Sequence, residues 1–214
     1  MSNVILKSLK ATIIDIIVAF ILSIILVFSI KLIVGDTINM AIGLLNTISI
    51  EKNDTVATKI QTEVLDDGTQ KIKNYPNYGE KYATLRIDSA DIELPVYFGD
   101  TMDILKNGIG HSSGSYFPGE GASMIYCAHN TKDKFRNFSE LKKDDIVSVI
   151  TDYGEFTYKI YDMKIIEETD LDKLPIQKDE EILMMYTCYP FDALGYTTKR
   201  YAVYSKFVSY KKSE

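Results

Sequence analysis

The pattern of apolar and polar positions changes twice along the chain. Over 11–34, ATIIDIIVAFILSIILVFSIKLIV, apolar residues run without periodicity and no charge falls between Ile16 and Ile30. A stretch apolar all round, rather than on one face, argues against a buried core helix. Its length matches the roughly 20 residues that cross a bilayer, with Asp15 and Lys31 near enough to the ends to reach headgroups. A cleaved signal peptide has a shorter apolar core and a small-residue cleavage site, and Lys31 followed by Leu32, Ile33 and Val34 is a poor one. The pattern therefore predicts an uncleaved transmembrane anchor over 11–34.

From 35 to 81 the composition is mixed. An apolar pattern over 38–50 predicts a helix, and EKNDT, DDGTQK and NYPNYGEK then supply charges and turn residues with little periodicity, as a tether would. From 82 onward the style changes again. YATLRI, DIELPVYFG, SMIYCAH, DIVSVI, EFTYKIYDMKII, EILMMYTC and RYAVYSKFVSY are short alternating or β-branched runs. Strands at such spacing predict an all-β domain over 82–214, an antiparallel sandwich or a closed barrel. Short helices are expected over 101–106, after an Asp100 cap, and over 135–141.

Charge orients the chain. Lys7, Lys10 and the amino terminus precede the apolar segment, whereas its far side offers Lys31 against Asp36. Positive flanks stay cytoplasmic, which places 1–10 inside the cell and the β-domain outside. With 214 residues and 46% hydrophobic content there is material for one well-filled core. A net charge of -6, with no basic run beyond the first few dozen positions, excludes nucleic acid as a partner. Two cysteines, Cys127 and Cys188, rule out a disulfide-stapled scaffold. Whether they pair with each other stays open in the sequence, and pairing would retire Cys188 as a nucleophile.

Candidate chemistry gathers around 182–204. Cys188 ends an apolar run just before Tyr189 and Pro190, which stop the strand and leave the thiol at a rim. If the next strand pairs back across the 189–199 loop, Arg200 returns beside Cys188, where a guanidinium can donate to a carbonyl oxygen gaining negative charge. His129 closes the apolar run SMIYCAH at a sheet rim, a place suited to a proton-transfer base. His111 lies in the glycine-rich GIGHSSGSYFPGEG, where a flexible, exposed backbone is expected. Cys127 shares a face with His129 by alternation, but a cysteine inside a strand usually behaves as a small hydrophobe. Cysteine nucleophile, histidine acid/base and arginine donor together make a thiol acyl-transfer site.

At these residues the chain resembles a sortase, the membrane-anchored cysteine transpeptidase of Gram-positive bacteria. The order His129, Cys188, Arg200, the string YTCYP with Thr187 before the cysteine, and the GHSSGSYFPGEG and AHN segments carry the resemblance. It implies an eight-stranded β-barrel. In it Cys188 attacks an LPxTG- or LPxTA-type sorting signal after Thr, His129 protonates the leaving amine, and Arg200 holds substrate and oxyanion. Thr187 helps to position substrate, by its hydroxyl or by fixing the turn. The implied partners are surface proteins with a C-terminal LPxT-type signal and, as amine acceptor, peptidoglycan or its lipid-linked precursor. TCYPF resembles class D, and the N-terminal anchor disfavours the pilin-assembling class. Met184 and Met185 stand where relatives usually carry Thr-Leu, and Ala128 where glycine is common. No cofactor is required by the resemblance. In some sortases calcium orders the loop equivalent to 167–181, which here carries Glu167, Glu168, Asp170, Asp172, Asp179, Glu180 and Glu181. Two other readings stand beside this one: a thiol hydrolase of the same fold, and an anchored binding module with an inert Cys188.

Overall fold

The computed structural model describes residue 13 and residues 15–26, 59–65, 68–173, 179–192 and 196–213. The chain divides into two compact units, Met1–Asp54 and Thr55–Glu214.

In the first unit the described backbone is helical at 13 and over 15–26 (α1). Its apolar side chains, from Ile16 and Ile17 through Phe20 and Leu22 to Leu26, are all exposed, so no face is packed. Twelve helical residues extend about 18 Å, short of the ~30 Å hydrocarbon core. Among the described residues no helix is long and apolar enough to cross a membrane. Most of the remainder of the span expected over 11–34, and the helix expected over 38–50, lie outside the described residues.

The second unit is a closed barrel. Its strands are β3 (Lys81–Ile87), β4 (Ile92–Phe98), β5 (Ile109–His111), β6 (Met124–Cys127), β7 (Ile146–Thr151), β8 (Gly154–Glu167), β9 (Ile182–Tyr189) and β10 (Lys199–Lys212). They close in the order β10-β8-β7-β3-β4-β5-β6-β9. All neighbours are antiparallel except β4 with β5 and β6 with β9. The interior follows from alternation: Leu85 and Ile87, Val147 and Val149, Phe156, Tyr158 and Ile160, and Leu183 and Met185 project inward. A 3-10 turn over Arg136–Glu140 buries Phe138 where the 135–141 helix is expected. The helix α2 (Met102–Asn107) has Thr101, not Asp100, at its N-cap.

The barrel unit also begins earlier than the alternating pattern indicates. A hairpin of β1 (Thr62–Val64) and β2 (Gln70–Ile72) lies within the stretch expected to be tether. Ile60 and Ile72 belong to the same buried cluster as the barrel core. Gln70 N–H donates to the Gly119 carbonyl at 2.7 Å, and Ile60 N–H to Asp152 at 2.7 Å. This hairpin is a separate two-stranded sheet packed on the barrel core, and it escapes the sequence pattern because strands of three residues bury too few positions to stand out from a charged surrounding sequence.

Two loops are tied to this core by a buried acid. Glu181 accepts the N–H groups of Gly119 and Gly121 at 3.0 and 3.1 Å and the Tyr158 hydroxyl at 2.5 Å. Both glycines have positive φ, 91° and 72°, a conformation that side chains disfavour. Burial raises the Glu181 carboxyl above its ordinary value, and the three donors pull the other way.

Candidate active site

The barrel has an inner and an outer side, and β9 distributes its residues between them. Leu183, Met185 and Thr187 face the core, at 0%, 0% and 1% exposure, so Met184, Tyr186 and Cys188 face outward. In the β9–β10 register Arg200 stands opposite Cys188, which gives the two side chains a common face and Cβ atoms about 5 Å apart. The hairpin expected from the sequence is therefore present.

The third member arrives on a parallel neighbour. Cys127 of β6 pairs with Tyr186 of β9, and the ladder continues as Ala128 N–H donates to the Tyr186 carbonyl at 3.3 Å. Following that register two residues onward brings His129 beside Cys188. Cys188 and Arg200 thus stand opposite each other on β9 and β10, and His129 lies two residues past the end of β6, the other neighbour of β9, each of the three partly exposed.

Two further bonds hold the ends of β6 and β9 together. Thr187 Oγ1 donates to the Ala128 carbonyl at 2.9 Å, and Asn130 Nδ2 to the Pro190 carbonyl at 3.2 Å. The Thr187 hydroxyl lies inside the barrel, one residue from His129 along the facing backbone. Its contact fixes the strand end and is not with the outer face.

Electrostatics separate the two cysteines and the two histidines. Both cysteines are free thiols, which answers the question of their pairing. Burial pushes the Cys127 thiol up to about 12, against a lowering hydrogen bond from Tyr186. Burial also lowers His129 below its ordinary 6.5, helped by the Lys134 ammonium and opposed by Asp133. A neutral imidazole is then the resting form at neutral pH.

His111 differs from its expected setting. It ends β5 fully buried, bonded to the Tyr82 hydroxyl at 2.8 Å and to Ser115 Oγ at 3.0 Å, within ring contact of Phe117 and Tyr126. Burial lowers it to about 3, so it stays neutral as a core group. The glycines around it serve packing rather than exposure. A Cβ at Gly110 would lie 2.8 Å from the Gly99 carbonyl oxygen, so glycine lets the 99–100 backbone close over β5 next to Cys127.

Four acids of 167–181 have protein partners among the described residues. Glu168 pairs with Arg200, Glu180 with Lys206, Asp170 accepts from Glu167 N–H, and Glu181 is buried as described. Among the described residues no group of three or more His, Cys, Asp or Glu converges as a metal site requires; 174–178 lie outside them. Glu168 and Tyr196, which join Arg200 at the site, carry no signal in the sequence that distinguishes them from other loop residues.

Residues 85–208 match the family model of the sortase domain. Over 144 residues the chain is 35% identical to Sortase D of Bacillus subtilis (strain 168), covering 67% of this chain and 72% of that one. The fold is similar to that of a Clostridium perfringens Sortase D5 transpeptidase, with TM-score 0.56 at 26% identity over 62% of this chain and 82% of that one. It is also similar to sortase C from Clostridium perfringens SM101, with TM-score 0.55 at 29% identity over 62% and 72%. With an eight-stranded barrel and a cysteine nucleophile candidate on its outer face, the chain belongs to the sortase family of cysteine transpeptidases.

Proposed function

We propose that this transpeptidase is an extracellular enzyme of class D, held to the membrane by 11–34, which joins surface proteins to the cell wall. The observation that carries the reading is Cys188 opposite Arg200 in the β9–β10 register, with β6, which leads directly into His129, as the other neighbour of β9. Cys188 Sγ attacks the carbonyl carbon of Thr in an LPxTG- or LPxTA-type signal, and the oxyanion that forms takes hydrogen bonds from the Arg200 guanidinium. His129, as imidazolium, gives its proton to the leaving amine, and a thioester remains on Cys188. An amine of peptidoglycan or its lipid-linked precursor then attacks the thioester, His129 takes the proton back, and Cys188 leaves as thiolate.

The same geometry supports this proton inventory. The lowering of His129 by burial disfavours its imidazolium in the resting site and so favours release of that proton to the leaving amine. The anchor is supported by α1, whose apolar residues are exposed on every side. Class D is supported by TCYPF and by the Sortase D relative. No cofactor enters the reaction; a calcium ion at 167–181 would make turnover rise on added calcium and fall on chelation.

The test incubates the full chain in detergent with a panel of LPxTG and LPxTA peptides, with and without an added amine, and identifies products by mass. Amide product in the presence of amine is expected. Acid product alone, whatever the amine, would mark a hydrolase instead. Protease shaving of intact cells, expected to remove the barrel and spare the first residues, tests the topology.

A further inference from the structure

The acidic stretch after β8 contains one residue that meets the loop before β10 twice and Arg200 of β10 once. Glu168 N–H donates to the Thr198 carbonyl at 2.7 Å, its Oε2 accepts Arg200 Nη2 at 2.7 Å, and its Oε1 accepts the Tyr196 hydroxyl. Arg200 commits Nη1 to the carbonyls of Thr197 at 2.7 Å and Lys199 at 2.9 Å. A guanidinium is a rigid planar fork of five N–H donors, so these bonds fix its plane. The contacts described leave its Nε–H and the second Nη2–H for another acceptor.

Exposure points the same way. The Arg200 and Glu168 side chains are 13% and 29% exposed, whereas Tyr196 is 78% exposed. The ion pair is therefore a partly sheltered fixture on the face that carries Cys188, with an exposed aromatic ring bonded to it. An arginine without such a tie would spread over many rotamers and extend into water, and donors aimed in advance are what stabilise developing charge.

We propose that Glu168 is the positioning residue for Arg200, holding the guanidinium so that its uncommitted N–H groups meet the acyl oxygen at Cys188. The inference rests on the reading of Cys188 as acyl nucleophile. Two effects of the carboxylate oppose each other. Its charge partly neutralises Arg200, so its removal would strengthen oxyanion binding if charge dominated. Its geometry holds Arg200 in place, so its removal weakens catalysis if placement dominates. The sign of the change decides between them.

The test compares wild type, Glu168→Ala and Glu168→Gln as full chains in detergent. It measures kcat/KM with an LPxT-type peptide, the rate of Cys188 alkylation by iodoacetamide, which needs no oxyanion donor, and Tm. Placement predicts that Glu168→Ala lowers kcat/KM about tenfold or more while alkylation and Tm stay near wild type. Glu168→Gln, whose amide oxygen still accepts from Nη2, should return to within about threefold of wild type. Peptide activity retained or increased in Glu168→Ala would overturn the proposal, as would Glu168→Gln as impaired as Glu168→Ala, or a parallel loss of alkylation and Tm. If wild type forms no acyl-enzyme, the parent reading falls and this one with it. If wild type acylates and Glu168→Ala does so equally well, only this proposal falls.

Discussion

Thr187 separates two ways in which a residue beside the nucleophile can serve catalysis. Its hydroxyl is buried and donates to the Ala128 carbonyl at 2.9 Å, tying β9 to the backbone just before His129. Thr187→Val keeps the shape and removes that bond. A neutral hydrogen bond lost from a buried site, with its carbonyl left unpaired, costs about 1–2 kcal/mol. For a unit the size of Thr55–Glu214 this lowers Tm by roughly 2–8 °C. The catalytic effect comes through His129: a side chain misplaced by about 1 Å can cost ~100-fold, so a shift of a few tenths predicts a kcat lowered about tenfold, equal to ~1.4 kcal/mol in the barrier. KM for an LPxT-type peptide should stay within about twofold, since the hydroxyl does not face the substrate side. Thr187→Ser, which keeps the donor, should recover most of both losses. Steady-state kinetics and thermal melts on the three proteins read all of this. A raised KM with unchanged kcat and Tm in Thr187→Val would refute the reasoning and place the hydroxyl on substrate.

Other consequences follow from the burial and charge at the site. Iodoacetamide near pH 8 should label Cys188 and spare Cys127, whose buried thiol is pushed up to about 12; Cys188→Ala should abolish peptide cleavage, and Cys127→Ala should leave it within about threefold. Because His129 is lowered, the acidic limb of kcat/KM should lie below 6.5; Lys134→Met removes a nearby cation, makes the imidazolium easier to form, and should move that limb to higher pH. Glu181 is raised in the folded state, so its contribution to stability is fully present below its unfolded value near 4.5 and is lost as pH rises through the folded one. Melts from pH 4 to 8 should show this loss reduced in Glu181→Gln.

Much of the site was legible because it sits on a hairpin. Over β9 the pattern of buried and outward positions runs long enough to assign Cys188 a face, and a single connection brings Arg200 back to it. The neighbour relation of His129 to Cys188 is different. It depends on a parallel pairing between β6 and β9, strands far apart in the chain, and local pattern carries no register for such a pair. β5 and the β1–β2 hairpin were hidden for another reason: three residues offer barely one period of alternation, and glycine or charge dominates their surroundings. His111 reads as a loop residue until Tyr82 and Ser115 satisfy both ring nitrogens in the core. Glu168 belongs to a run of acids, and only the fold tells which of them meets Arg200.

The central claim is that Cys188 on the outer face carries the acyl group. Its most direct test is the intact mass of the full chain after brief exposure to an LPxTG or LPxTA peptide, followed by peptide mapping. Acylation should raise the mass by that of the peptide cut after Thr, at Cys188, with no increase in Cys188→Ala and discharge by added amine. An unmodified Cys188 across the whole panel, or an adduct on Cys127, would contradict it.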